Sequence, residues 1–124
     1  MQEIKAFFDK FSSDFGYFDG NLIVDRYLVP FIPVTSAGET KLLNSKAEVA
    51  NYFQGYLNAY RDKGVVACSY KDMDVHQIGE CVYVGIVTWL LTGDNDKVLV
   101  SWRESYNLLE QNGNLFVYSS ANFK

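Results

Sequence analysis

The sequence predicts an α+β domain in which amphipathic helices come first and then cover one face of a twisted antiparallel sheet. Three observations carry this. Two segments of the first half repeat their apolar residues at helical spacing. After Gly64 the period switches to two and stays there. The long strands all come last, with no βαβ alternation. No linker, repeat or low-complexity stretch interrupts the 124 residues, so residues 1–124 are read as a single domain.

Ile4, Phe7, Phe8, Phe11, Phe15 and Phe18 mark one face of a first helix, which Gly16 weakens or ends. A short second helix is expected over Leu22–Tyr27. Pro30 and Pro33 bracket an apolar run that reads as an edge strand, because proline cannot donate to a central ladder. A turn at Ala37-Gly38 and a short strand Thr40–Leu43 complete a small hairpin. Ser45-Lys46-Ala47-Glu48 is a capping box that opens a long helix, with Val49, Ala50, Phe53, Leu57 and Tyr60 on its stripe and Gly64 as its stop. Four strands follow: Val65–Ile78, Cys81–Thr92, Lys97–Leu109 and Leu115–Phe123. Their turns are Gly79-Glu80, residues 93–96 and Asn112-Gly113, the last a strong hairpin signal.

Composition narrows the function classes. Hydrophobic residues make up 48% and charged residues 21%, which excludes disorder. Nine Phe, nine Tyr and two Trp point to an aromatic core or a ring-lined cavity. Eleven basic residues are scattered among fifteen acidic ones, which argues against nucleic acid and anionic membrane surfaces as partners. No apolar run approaches the roughly 20 residues of a membrane helix. The opening MQEIKAFFDKF does not read as a signal peptide. Cys68 and Cys81 form neither a disulfide framework nor a zinc set, so a reducing cytoplasm is expected, with no metal and no cofactor. Both cysteines are read as small core residues.

The order of elements resembles the nuclear transport factor 2-like superfamily, the cone-shaped α+β fold that also contains ketosteroid isomerase and the polyketide cyclases. The likeness rests on the first helix, RYLVPFIPVTSAGET, the capped helix NSKAEVANYFQGYLNAYRDKGV, and the strands VYVGIVTWLLTGDNDKVLVSWRESYNLL and QNGNLFVY. It implies a strongly bent antiparallel sheet wrapped around the N-terminal helices, with a central conical pocket. It also implies homodimers through the outer sheet face.

Turn geometry sets an expected register. A two-residue turn at Gly79-Glu80 places Tyr70 opposite Trp89, Asp72 opposite Val87, Asp74 opposite Gly85 and His76 opposite Tyr83. Pairing Thr92 with Lys97 places Val87 opposite Trp102, Gly85 opposite Glu104 and Tyr83 opposite Tyr106. All of these then share one face, where a one-residue slip would invert part of the set. Met73, Val75, Val82, Val84, Ile86 and Leu90 take the other.

Glu104 interrupts the apolar set Val98, Val100, Trp102, Tyr106 and Leu108. It is either a pocket or interface carboxylate with a raised pKa, or one tied structurally to Arg103, Lys71 or a tyrosine. Gly85 marks a bend or bulge with room beside it. His76, the only histidine, sits two residues from Asp74 and is either a proton shuttle or a surface residue. Tyr17 lies near where the isomerase-like tyrosine donor would fall, although the stretch 34–43 offers only Glu39 as a base. The catalytic candidates are therefore Glu104, Asp74, His76 and Tyr17. The expected ligand contacts are Phe31, Phe53, Trp89, Trp102, Glu104 and Tyr106. The first functional reading is binding of a small, mostly apolar molecule. The alternatives are an isomerase, cyclase or dehydratase, and an interaction domain whose pocket is filled by its own side chains.

Overall fold

A computed structural model describes residues 2–123. Helix α1 (Gln2–Phe15) buries Ile4, Phe8, Phe11 and Phe15. Its solvent side carries the i,i+4 pairs Lys5–Asp9 at 2.8 Å and Lys10–Asp14 at 3.0 Å. The helix stops at Phe15, and a turn reverses the chain through Phe18 at φ 53°. Helix α2 (Gly20–Ile23) is capped by Asp19, which accepts from Asn21 N–H at 2.9 Å, and runs into a 3-10 turn over Val24–Arg26.

Helix α3 (Lys46–Asp62) starts at the expected capping box. Ser45 Oγ accepts from Glu48 N–H at 3.2 Å, and Glu48 Oε2 accepts from Asn44 N–H, one residue before the cap. Gly64 stops the chain in the left-handed region at φ 95°, a conformation that costs glycine nothing. Gln54 of α3 ties the helices together, accepting from Gly20 N–H at 2.7 Å and donating to the Phe18 carbonyl at 3.0 Å.

The strands are β1 (Tyr27–Val34), β2 (Ala67–Gln77), β3 (Val82–Thr92), β4 (Val98–Gln111) and β5 (Asn114–Phe123). They form one curved, open sheet in the order β1-β5-β4-β3-β2. The four C-terminal strands are the expected antiparallel meander. The proline-bracketed run is an edge strand, and it joins the sheet as a fifth member parallel to β5. Only two isolated bridges, Phe31 with Leu43 and Val34 with Thr40, stand where a second short strand was expected.

The register of each strand pair decides which side chains face the helices. Between β2 and β3 the last pair before the turn is Gln77 with Tyr83, one residue off the expected register. A bulge at Asp72-Met73, with Asp72 at φ 54°, absorbs that residue, so Tyr70 still pairs with Trp89. Between the two points the faces are inverted. Met73 and Val75 pack toward the core, whereas Asp74 and His76 lie exposed on the outer face. β3 and β4 pair two residues away from the expected register, Trp89 with Trp102 and Val87 with Glu104, and an even shift preserves the face. Asn112-Gly113 forms a two-residue turn, and a bulge between Asn107 and Leu108 sets Tyr106 opposite Ser120.

The core lies between α1 and the inner sheet face. Phe8 is its centre, with ring centroids 5.8, 6.1 and 5.4 Å from Tyr70, Trp89 and Tyr106. Gly85 makes this approach feasible, since a Cβ there would stand 3.0 Å from Phe8 Cε2. β3 pairs with both neighbours without a bulge at Gly85, and the room beside it is filled by Phe8. Arg26 is buried with them; it donates to Asp14 Oδ2 at 2.6 Å and to the Leu22 carbonyl at 3.3 Å. Of the two free cysteines Cys68 is half-buried, opposite Leu91 as expected, whereas Cys81 is exposed rather than a core residue, because it sits in the turn that closes the β2–β3 hairpin.

Candidate functional site

The period of two on β4 sends Trp102, Glu104 and Tyr106 to the same face, and pairing with β3 sets Trp89 beside Trp102. Helix α3 lies across this row and contributes Tyr52, Phe53, Tyr56, Leu57 and Tyr60. Tyr27 and Pro33 of β1, Phe11 and Phe15 of α1, and Ser120 and Asn122 of β5 complete the wall. Together they enclose a cleft of about 90 Å³. The sphere of a single water fills roughly 10–15 Å³, so the space suits a small molecule.

Two hydrogen bonds fix the floor. Trp89 Nε1 donates to Tyr106 Oη at 2.7 Å, and Trp102 Nε1 donates to Glu104 Oε1 at 2.7 Å. Tyr60 stacks on Trp102 with centroids 5.9 Å apart and planes 23° from parallel. Burial among the rings pushes the Glu104 carboxyl up from its ordinary value. The Trp102 N–H and the Ser120 hydroxyl pull it back, but the net direction is upward. Burial, and next the charge of Glu104, pushes the Tyr60 hydroxyl up to about 12 and those of Tyr27 and Tyr106 well above their ordinary value. These phenols therefore stay protonated at neutral pH. The row offers ring faces, phenolic hydroxyls and one carboxyl of raised proton affinity.

Phe53, Trp89, Trp102, Glu104 and Tyr106 meet in this cleft. Phe31 does not line it: fully buried, it lies behind the wall with its ring 4.6 Å from Tyr27 and 6.0 Å from Phe53. Asp74 and His76 are removed from it by the β2 bulge. Asp74 instead pairs with Arg103 Nη2 at 2.9 Å on the outer face, where Arg103 also donates to Thr88 Oγ1 and the Asp72 carbonyl. Tyr17 is 68% exposed, because the turn after α1 directs it to solvent while Phe18 turns in against Phe15. Among the described residues no group of three His, Cys, Asp or Glu side chains could hold a metal ion, and no helix is long and apolar enough to cross a membrane.

The sequence reading missed Tyr27, Tyr52, Tyr56 and Tyr60, and also Ser120 and Asn122. The α3 tyrosines had a signal, since Tyr52, Tyr56 and Tyr60 recur every four residues and so share a face of α3. Ser120 and Asn122 had none, because their inward direction depends on the bulge in the β4–β5 ladder.

A family described as NTF2-like protein (DUF6841) matches residues 2–122. Comparison with the curated proteins finds no match. Several solved structures share the fold at low identity. Aln2 from a Streptomyces species superposes with a TM-score of 0.77 at 13% identity, covering 98% of this chain and 88% of that one. An NTF-2 like protein of unknown function from Shewanella oneidensis gives 0.75 at 10% identity, covering 99% and 98%. A domain of unknown function with a cystatin-like fold from Nostoc punctiforme gives 0.74 at 14%, covering 97% and 74%.

Proposed function

The chain belongs to the NTF2-like family matched over residues 2–122, and from that premise we propose that it binds a small, mostly apolar molecule in its cleft. One observation carries the reading. A ring-lined space of about 90 Å³ stands open beside a single carboxyl, where a pure interaction domain would have packed it with its own side chains. Native mass spectrometry of the protein from its own host should find a small molecule retained above the 14.1 kDa chain mass. A bare chain, together with no saturable change in tryptophan fluorescence on adding naphthalene, overturns the reading.

A second role rests on the outer sheet face. Val82, Val84 and Ile86 line it as an apolar strip, with Leu90 beyond the polar Thr88, which favours a homodimer through that face. The same spectra read the subunit count. Catalysis of the isomerase, cyclase or dehydratase type is favoured by one feature, the raised Glu104 carboxyl beside protonated phenols. Its test is a pH–rate profile with an inflection above the ordinary carboxylate range that disappears in Glu104→Gln. Two free thiols favour a reducing cytoplasm as the location.

A further inference from the structure

We propose that the molecule held in the cleft is a small organic ammonium ion, with Glu104 as its counter-charge and the surrounding ring faces as its walls. This rests on the reading of the cleft as a ligand site and adds the charge class of the ligand.

The first argument is charge balance. Asp14, a half-buried carboxylate of the helical layer, takes Arg26 at 2.6 Å and Lys10 at 3.0 Å. Glu104 receives neutral donors instead, the Trp102 N–H and the Ser120 hydroxyl. Among the described residues no Lys, Arg or His lines the cleft. An indole N–H can only donate, so its bond addresses the carboxyl as an acceptor. A carboxylate held this way and shielded from water lacks a compensating charge, and a cationic guest supplies it.

The second argument is the wall. Ten of the eighteen lining residues are aromatic, and an aromatic face is the negative end of the ring quadrupole. An ammonium ion within about 6 Å of several such centroids is attracted by each, more strongly where water is excluded. Two cations of the chain already touch wall rings, Arg26 over Phe11 at 5.4 Å and Lys41 over Tyr52 at 5.7 Å. Neither is a lining residue, and Arg26 is held by Asp14. An anion would meet the carboxylate and ring faces with no cation to receive it. A neutral guest would leave Glu104 uncompensated.

The protein contains its own reporter, since its two tryptophans, Trp89 and Trp102, both line the cleft. Choline, its uncharged isostere 3,3-dimethylbutan-1-ol and the anionic 3,3-dimethylbutanoate are titrated into the purified chain while tryptophan fluorescence is followed. Choline should bind at least about tenfold more tightly than the alcohol, the scale of a desolvated cation–ring contact, and the anion should not bind. Glu104→Gln should remove the advantage of choline over the alcohol. Equal or tighter binding of the alcohol by the unaltered chain overturns the proposal while leaving the apolar-ligand reading standing; this comparison needs no variant. A Glu104→Gln chain that keeps the margin for choline also overturns it. No response to any of the three overturns it as well, and the naphthalene titration then shows whether the apolar site falls with it.

Discussion

Trp102 and Glu104, two residues apart on β4, are joined by an indole N–H that donates to the carboxylate at 2.7 Å. The bond spans an i,i+2 step, so the strand geometry alone brings donor and acceptor together. It holds the carboxyl in place without neutralising it, and most of the behaviour expected of the site follows from that.

The first expectation concerns pH. Unfolded Glu104 titrates near 4.5, and its folded value is higher because burial opposes the charge. Below 4.5 both states are protonated and there is no penalty. As pH rises from there through the folded value, the native state binds more protons than the unfolded one and loses stability. The groups facing Glu104, namely Trp102, Ser120, Tyr27, Tyr52, Tyr60 and Tyr106, carry no charge over this range. Glu104→Gln should therefore gain stability relative to the unaltered chain at about pH 8 and lose that gain at about pH 4. Urea melts at the two pH values decide it; an equal difference at both contradicts the assignment.

Gly85→Ala should destabilise by about 1–3 kcal/mol, because its Cβ would press on the Phe8 ring from 3.0 Å in a packed core. Phe8→Leu removes that ring edge. The double variant should then lose less than the two single losses combined. Additive losses in thermal melts would show that the two positions do not touch.

Arg26→Met should cost about 3 kcal/mol, since it strips the buried partner from Asp14. Burial pushes the Asp14 carboxyl up, but hydrogen bonds from Lys10 and Arg26, with their charges, bring it below its ordinary 3.8. A depressed carboxyl contributes stability above its unfolded value and loses it as pH falls through the folded one. The variant should accordingly lose the part of its acid unfolding that belongs to Asp14, and its stability between about pH 5 and 2 should change less steeply. An unaltered slope would refute the pairing.

Iodoacetamide at about pH 8 should label Cys81 and spare Cys68, whose thiol burial pushes up to about 12. Peptide mass mapping after a short exposure reads the ratio. Comparable labelling of both would show that the β2–β3 end of the sheet opens freely.

Local signals made much of this molecule legible. The capping box Ser45–Glu48, the aromatic stripe of α1 and the Asn112-Gly113 turn each state their structure within a few residues. The row Trp102, Glu104 and Tyr106 was readable for a different reason: the β3–β4 register is off by two, and a period of two tolerates an even error. Asp74 and His76 show the converse. A single extra residue at Asp72, where aspartate accepts a positive φ, inverts everything between it and the turn. Tyr70 stayed correct only because two one-residue errors cancelled. The parallel pairing of β1 with β5 had no local signal, since its partners lie about ninety residues apart.

That pairing has a temporal consequence. β5 is inserted between β1 and β4, so the segment made late in synthesis is the one that unites the early segment with the meander. A nascent chain lacking Asn114–Phe123 has the described helices and the other four strands, yet the flanks of β1 and β4 that β5 covers are open to any other polypeptide. Quality control on the ribosome would meet this protein as an unfinished sheet until the last hairpin clears the exit tunnel.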